Sequence, residues 1–593
     1  MLAAIHRCCR ARTPVLSSLL LLLLCVVCTA GASPYTPDED THTRRFLLSL
    51  TQALPALARL WDPSVDYCSW KEVYCTSSGV GVYLSNWALS GTLPALDADL
   101  NASLIRVSVL SITNNPAIGG TLPPSWGDLA ALQWLYLKNS GIAGTLPPQW
   151  VNMTRLQHLD VSDTTLSGTL PPAWDRMVSL RKLDLRHTDL SGTLPPTWSE
   201  MAPLAFLYLS STQVSGTLPP EWGRMASLGE LNLDNTRLTG PLPSAWREAP
   251  ALSSLSLKNT KVSGTLPLEW VTMPSLHRLC LSGTHITGTL PAAWSNSSVV
   301  SSLDLSHTAI RGALPAEWGA ARGIWSLDVS YTAISGTLPR EWSSLPTLGT
   351  FDAAHTGIIG TLPAVWSNIS LVMAFNVNGT AISGTLPVEW KTLSAMNHFD
   401  VAGTSITGTL PVEWKNWTRL YDFDISGTPI SGTLPSPWKS MYKMRALMLN
   451  ATQLSGTIPE SWGNMTALEV VRVADTQMTG CVPIAWLCRR GLTAADVGLT
   501  PAASGRCPKA SEICPLRGVV ALLQWLLTVV VVTCGVVVVA VIVDAWCRRS
   551  APVIPHGQLD AWHHRMNADE APVRYAGGPR EDAVSGVRSG NAG

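Results

Sequence analysis

The chain has 593 residues, 46% hydrophobic and only 14% charged, with Lys plus Arg matching Asp plus Glu at 41 each. So sparse and balanced a charge leaves no basic surface for nucleic acid, which is excluded as a partner. The 13 cysteines point to an oxidising compartment.

At the N-terminus, Arg7, Arg10 and Arg12 precede an apolar run from Val15 to Val27 and the small-residue step Ala30-Gly31-Ala32. Residues 1–32 read as a secretory signal peptide, since the run is short for a membrane anchor. Residues 33–90 form an N-terminal cap region containing Trp61, Cys68 and Cys75.

Residues 91–487 are governed by one period. Glycine recurs every 24 residues from Gly120 to Gly480, and tryptophan follows six residues later each time, from Trp126 to Trp486. A fixed period of this size predicts a solenoid of about sixteen continuous coils. Within one unit, Leu276-x-x-Leu279-x-Leu281-x-x-Thr284-x-Ile286 is the leucine-rich-repeat pattern. Alternation around Leu279 and Leu281 predicts a short strand with those two residues buried and Cys280 exposed. Stacked coils set these strands in parallel on the concave face. The ladder position, Asn115 in the irregular first coil, is threonine thereafter, from Thr164 to Thr476. A hydroxyl both donates and accepts, so a threonine ladder running from coil to coil is expected. The tryptophans fall on the convex side. Their retention in every coil predicts a stacked aromatic core, with an exposed carbohydrate-binding stripe as the alternative.

Two groups stand out on the concave face. Trp134, Tyr136, Arg181, Arg186, Phe206 and Tyr208, with Lys138 and Lys182 beside them, form an aromatic and basic patch expected to project from three adjacent strands. Aromatic rings and arginine are the usual anchors of binding surfaces. Asp304, Asp328, Asp352, Asp400 and Asp424 form an acidic row. Either these carboxylates bond flanking hydroxyls and stay solvated, or they attract cations or a basic ligand. Cys280 is either an unengaged surface thiol or an intermolecular or reactive one. N-glycosylation sequons stand at Asn101, Asn152, Asn296, Asn368, Asn378, Asn416, Asn450 and Asn464, usable only where exposed.

Residues 488–518 form a C-terminal cap and stalk. Cys481, Cys488, Cys507 and Cys514 follow the last coil, and sequence leaves three pairings open. The uncharged stretch Val519 to Val543 is long enough to span a bilayer. Trp525, near the start of the stretch, and Trp546, just past its end, suit the two interfaces, and Arg548 and Arg549 follow, placing the tail of 544–593 inside and the repeats outside. The tail's composition predicts disorder. Its His563 and His564 read as solvated, and Cys547 as palmitoylated or free.

The glycine, small residue, leucine, proline step in this frame resembles the plant-type subclass of leucine-rich repeats. With its threonine ladder and fixed tryptophan, the segment Val214-Ser215-Gly216-Thr217-Leu218-Pro219-Pro220-Glu221-Trp222 resembles trypanosomatid surface antigens of the Leishmania promastigote surface antigen and proteophosphoglycan group. The resemblance implies disulfide caps at both ends, with Cys68 and Cys75 closing the first. It also implies contact with host or vector molecules. The transmembrane stretch followed by a polar tail departs from the lipid-anchored ending of many such antigens.

No phosphate-binding loop, nucleophile elbow or zinc-protease motif occurs, and no cofactor or metal is expected. The chain therefore reads as a non-enzymatic, type I plasma-membrane protein. It would display its repeats for recognition of, or adhesion to, an extracellular protein or glycoprotein. The alternatives are a receptor-like signalling protein acting through its tail, or a shielding surface coat.

Overall fold

The computed structural model describes residues 34–296, 301–321 and 323–499, together with 507, 509 and 514. The expected leader, the membrane span at 519–543 and the tail, with Cys547, His563 and His564, lie outside the described residues. Among the described residues no helix is long and apolar enough to cross a membrane.

The chain enters through helix α1, Pro37–Ala53. Thr36 and Glu39 form a capping box, and Asp38, Glu39 and Asp40 complement the positive end of the helix dipole. Phe46, Leu47 and Leu50 are fully buried on its inner face, and Phe46 meets Trp126 edge-on at 6.1 Å. Trp61 stacks on Trp70 at 5.1 Å, beside the Cys68–Cys75 disulfide. Together these cover the open end of the first coil, whose apolar face has no preceding neighbour.

A hairpin, Val73–Thr76 with Gly79–Tyr83, starts the main sheet. Strands then follow one per coil, from Val107–Ser111 through Trp134–Tyr136 to Val470–Arg472, all parallel. The repeat sets the register: Leu255, Leu279 and Leu303 lie opposite one another. Leu279 and Leu281 are wholly buried, as the alternation predicts.

Each coil then turns through its glycine. At Gly168 φ is +80°, and a Cβ there would lie 2.7 Å from the γ-methyl of Thr145 in the preceding coil. Glycine is needed both for the backbone and for the space. Strands around this step form further parallel pairs, such as Lys261–Thr265 with His285–Gly288. Their outward hydroxyls donate back one coil, as Ser383 does to the Gly360 carbonyl at 3.2 Å.

The convex side is a run of short 3-10 helices, Leu268–Thr272 among them. Trp270 is 1% exposed and stacks on Trp246 at 6.3 Å with the planes 3° apart. The aromatic row is core, not an exposed stripe. It also carries a bond that the sequence does not announce: the Trp270 indole Nε1 donates to the Pro243 carbonyl of the preceding coil at 3.0 Å, and Trp246 to Pro219 at 2.9 Å. Trp294 breaks this row, its buried Nε1 having no partner.

The threonine ladder does not run from coil to coil. Thr284 donates to the Leu281 carbonyl at 2.6 Å, three residues back in its own coil, and Thr164 and Thr380 do likewise to Val161 and Val377. Asn115 does link coils: its Nδ2 donates to Leu84 O at 2.8 Å and its Oδ1 accepts from Leu89 N at 2.9 Å. An amide offers two donors and an acceptor at longer reach, whereas a hydroxyl has one proton, which the local carbonyl takes.

At the C-terminal end helix α2, Ile484–Arg490, replaces the 3-10 turn and stops at Gly491 with φ 71°. Trp486 keeps the phase of the row but donates to Trp462 O at 3.1 Å. Cys481 is bonded to Cys507, and Cys488 and Cys514 are also disulfide-bonded.

Candidate ligand-binding face

On most main strands the two residues flanking the buried central residue, leucine in most coils and phenylalanine at Phe351, Phe375, Phe399 and Phe423, face outward, so the concave surface is written by residues that the core constrains least. Trp134, His158, Lys182 and Phe206 align across consecutive strands, as do Tyr136, Asp160, Asp184 and Tyr208. The expected aromatic patch therefore does not lie on three adjacent strands. The strand His158–Asp160 separates Trp134 from Lys182 and Arg186, and Trp134 stands about 14 Å from Phe206, three strand spacings away.

His158 fills that gap. Trp134 meets it edge-on at 6.2 Å, and the Tyr136 hydroxyl lies 3.5 Å from its Nδ1. Trp134 is half-buried, with its Nε1 buried and unpartnered. Farther along, the Arg186 guanidinium lies 4.9 Å from the Tyr208 ring and the Lys182 ammonium 5.9 Å from it. Tyr208 donates to Glu230 Oε2 at 3.0 Å. Burial, reinforced by Glu230, raises its pKa, so it stays a neutral phenol. Phe206 is 41% exposed, and Arg181 is exposed.

Much of the patch's positive charge is already engaged. Arg186 forks onto Asp184 through Nε–Oδ1 at 2.9 Å and Nη2–Oδ2 at 2.6 Å, and Asp184 is itself 2% exposed. Lys138 lies 3.4 Å from Asp163, which also holds the His187 Nδ1 at 2.7 Å. The carboxylates that pair these cations stand on the same or neighbouring coils, a relation hidden when the basic residues are read alone.

The acidic row is confirmed in register. Asp304, Asp328 and Asp352 lie on consecutive strands, Asn376 follows, and then Asp400 and Asp424. Their Oδ1 atoms accept from residues two positions on, as Asp328 does from Ser330 N at 2.9 Å and Ser330 Oγ at 2.7 Å. Asp304 also takes the Lys258 ammonium at 2.8 Å. Burial, and then the neighbouring carboxylates Asp352 and Asp304, push Asp328 up to about 6. Asp352 and Asp400 are raised as well, burial being the larger cause in both. Flanking hydroxyls thus engage part of the row, and burial makes its carboxylates harder to ionise than solvated ones.

Cys280 is a correction. It is a free thiol but 3% exposed, not a surface group. The thiol is short, and the longer Arg278 and Lys258 side chains stand beside it, while burial raises its pKa.

Two features escaped the sequence. His307, Tyr331 and His355 stack with centroids 4.3 and 4.5 Å apart along the rim, all at positive φ. Trp325, 39% exposed, lies over the bare Gly349 of the next coil. The 24-residue step links the three stacked rings and was the available signal.

A family model described as Leucine Rich Repeat matches residues 155–177 and 179–201. The surface membrane glycoprotein GP46/M-2 of Leishmania amazonensis is 35% identical over 131 residues, which is 21% of this chain and 27% of that protein. The chain thus spans about a quarter of the length of the curated relative it matches. Among solved structures, the plant peptide hormone receptor RGFR1 in complex with RGF2 gives a TM-score of 0.47 at 20% identity, covering 68% of this chain and 76% of that one. A leucine-rich-repeat protein of Leptospira interrogans gives 0.46 at 23% identity, covering 56% and 88%. The repeat model and the partial match thus make the chain similar, over part of its length, to a leucine-rich-repeat pattern and to a Leishmania surface membrane glycoprotein.

Proposed function

We propose that the chain is a non-enzymatic surface protein whose concave face recognises or adheres to an extracellular protein or glycoprotein. The observation that carries this reading is the band from Trp134–Tyr136 to Phe206–Tyr208, where half-exposed rings, a forked arginine and an exposed Arg181 share four consecutive strands. Such residues give large contact area at low entropic cost. The likeness to a surface membrane glycoprotein supports display outside the cell. The stretch 519–543 supplies the anchor in this reading, with 544–593 on the cytoplasmic side.

The test is a screen of the soluble ectodomain against extracellular proteins and glycoproteins, repeated with Trp134→Ala and Tyr208→Ala. Binding should weaken in each variant with folding unchanged. A partner bound equally well by both variants together would move the site off this band. Loss of binding in a well-folded Trp270→Ala variant would place it on the convex side.

A further inference from the structure

The sequons divide into geometric classes that their sequence does not reveal. Asn152, Asn368, Asn416 and Asn464 share one phase of the repeat, each ending a convex 3-10 helix. Asn296 has the same phase, but its side chain lies outside the described residues. In all four the middle residue points into the core: Met153 is 1% exposed, Ile369 0%, Trp417 0% and Met465 2%. At Met153, Ile369 and Trp417 that residue holds the chain in an inverse γ-turn, with φ −72°, ψ 68° at Met153 and φ −76°, ψ 56° at Trp417. The turn is closed by Thr154 N on Asn152 O at 2.8 Å, and by Thr418 N on Asn416 O at 2.8 Å. With the middle residue buried, the asparagine and the hydroxyl residue both turn toward solvent: all four asparagines are exposed, as are Thr154, Ser370 and Thr466, with Thr418 half-exposed.

Asn378 and Asn450 occupy a different phase, on the concave face. Here the middle residue is left-handed, Gly379 at φ 65° and Ala451 at φ 55°. The third residue is the ladder threonine. Thr380 is 5% exposed and donates inward to Val377 O at 2.7 Å, and Thr452 is 6% exposed and donates to Leu449 O at 2.8 Å. Asn378 itself donates to Asp400 Oδ2 at 3.3 Å. Amide and hydroxyl therefore point to opposite sides of the chain, and the hydroxyl is spent on the fold.

We propose that N-linked glycans stand in one row along the convex edge, at Asn152, Asn368, Asn416 and Asn464, and that Asn378 and Asn450 stay bare. In each transfer the asparagine Nδ2 bonds to the anomeric carbon of a lipid-linked oligosaccharide diphosphate. The anomeric C–O bond breaks, the lipid diphosphate leaves and the amide gives up one proton. The modified edge sites touch neither the strand register nor the core. Sugar on Asn378 would displace its bond to Asp400 and stand in the concave face. The row thus shields one margin while leaving the recognition surface open. The inference rests on the secretory reading of the chain but not on the ligand.

The full chain, produced in eukaryotic cells with and without an added secretory leader, tests this through site occupancy measured by peptide mass spectrometry. With the leader, the four edge asparagines should carry sugar and Asn378 and Asn450 should not. Edge sites found empty, or concave sites filled as fully, would overturn the proposal. Absence of all sugar only when the leader is omitted would count against the native leader and leave the geometric result standing. Transplanted sequons give a second reading. Arg176→Asn with Val178→Thr recreates the edge phase in another coil and should add one glycan. Ala354→Asn recreates the concave phase and should add none; a gain there would overturn the sorting.

Discussion

The convex and concave faces of each coil obey the same period and opposite rules. On the convex side coil after coil meets the same packing problem and gives nearly the same answer, a buried indole that in most coils is bonded to a proline carbonyl of the preceding coil, with Trp294 and Trp486 the departures. On the concave side the buried leucine is kept while its outward neighbours change from Trp134 to His158, Lys182 and Phe206. Repetition marks where the fold needs a residue, and variation marks where it does not. In a solenoid the variable face is thus the one free to acquire specificity.

The largest test of this contrast is Trp270→Ala. Removing a ring that is 1% exposed should lower stability by about 3–5 kcal/mol, seen as a fall in the denaturation midpoint. A loss no larger than that of a surface substitution would erase the distinction. Next come the concave anchors: Trp134→Ala and Tyr208→Ala should each weaken partner binding by about 1–2 kcal/mol, with only small changes in melting temperature.

The acidic row sharpens the comparison through pH. Asp328 has a folded pKa of about 6 against an ordinary value of 3.8, so the folded state holds its proton more tightly. The penalty is absent below about pH 4, grows as pH rises toward 6 and is complete above it. Asp328→Asn should therefore stabilise the protein by about 1–2 kcal/mol at pH 8 and by almost nothing at pH 4. An equal gain at both pH values would remove burial of charge as the cause.

The smallest effect lies within the convex row. Trp270→Phe deletes the indole bond to Pro243, whereas the Trp294 indole has no partner to lose. Trp294→Phe should thus cost about 1 kcal/mol less than Trp270→Phe. Equal costs would mean that the inter-coil indole bond contributes nothing net.

The parts of this molecule legible in the sequence are those fixed by phase. Leu279, Leu281 and Trp270 are buried where a 24-residue step places them, and the Asp304–Asp328–Asp352 row aligns because each residue lies one step from the next. What depends on relations between different residues was hidden. The threonine hydroxyl chose a carbonyl in its own coil because one proton has one destination. Cys280 is buried at a position where alternation alone predicts exposure, with Arg278 and Lys258 beside it. The aromatic patch was misjudged because residues close in kind were treated as close in space, and His158, the residue between them, is neither strongly basic nor large.

The absence of any insertion between Gly120 and Gly480 has an evolutionary consequence. Where every junction between coils is built alike, a 24-residue unit can be gained or lost by recombination in register without creating a junction of a new kind. Each such event shifts the two ends by about 4.8 Å. It also brings new neighbours together on the concave side, so the same exchange that alters the length of the solenoid also changes the pattern of side chains on that face.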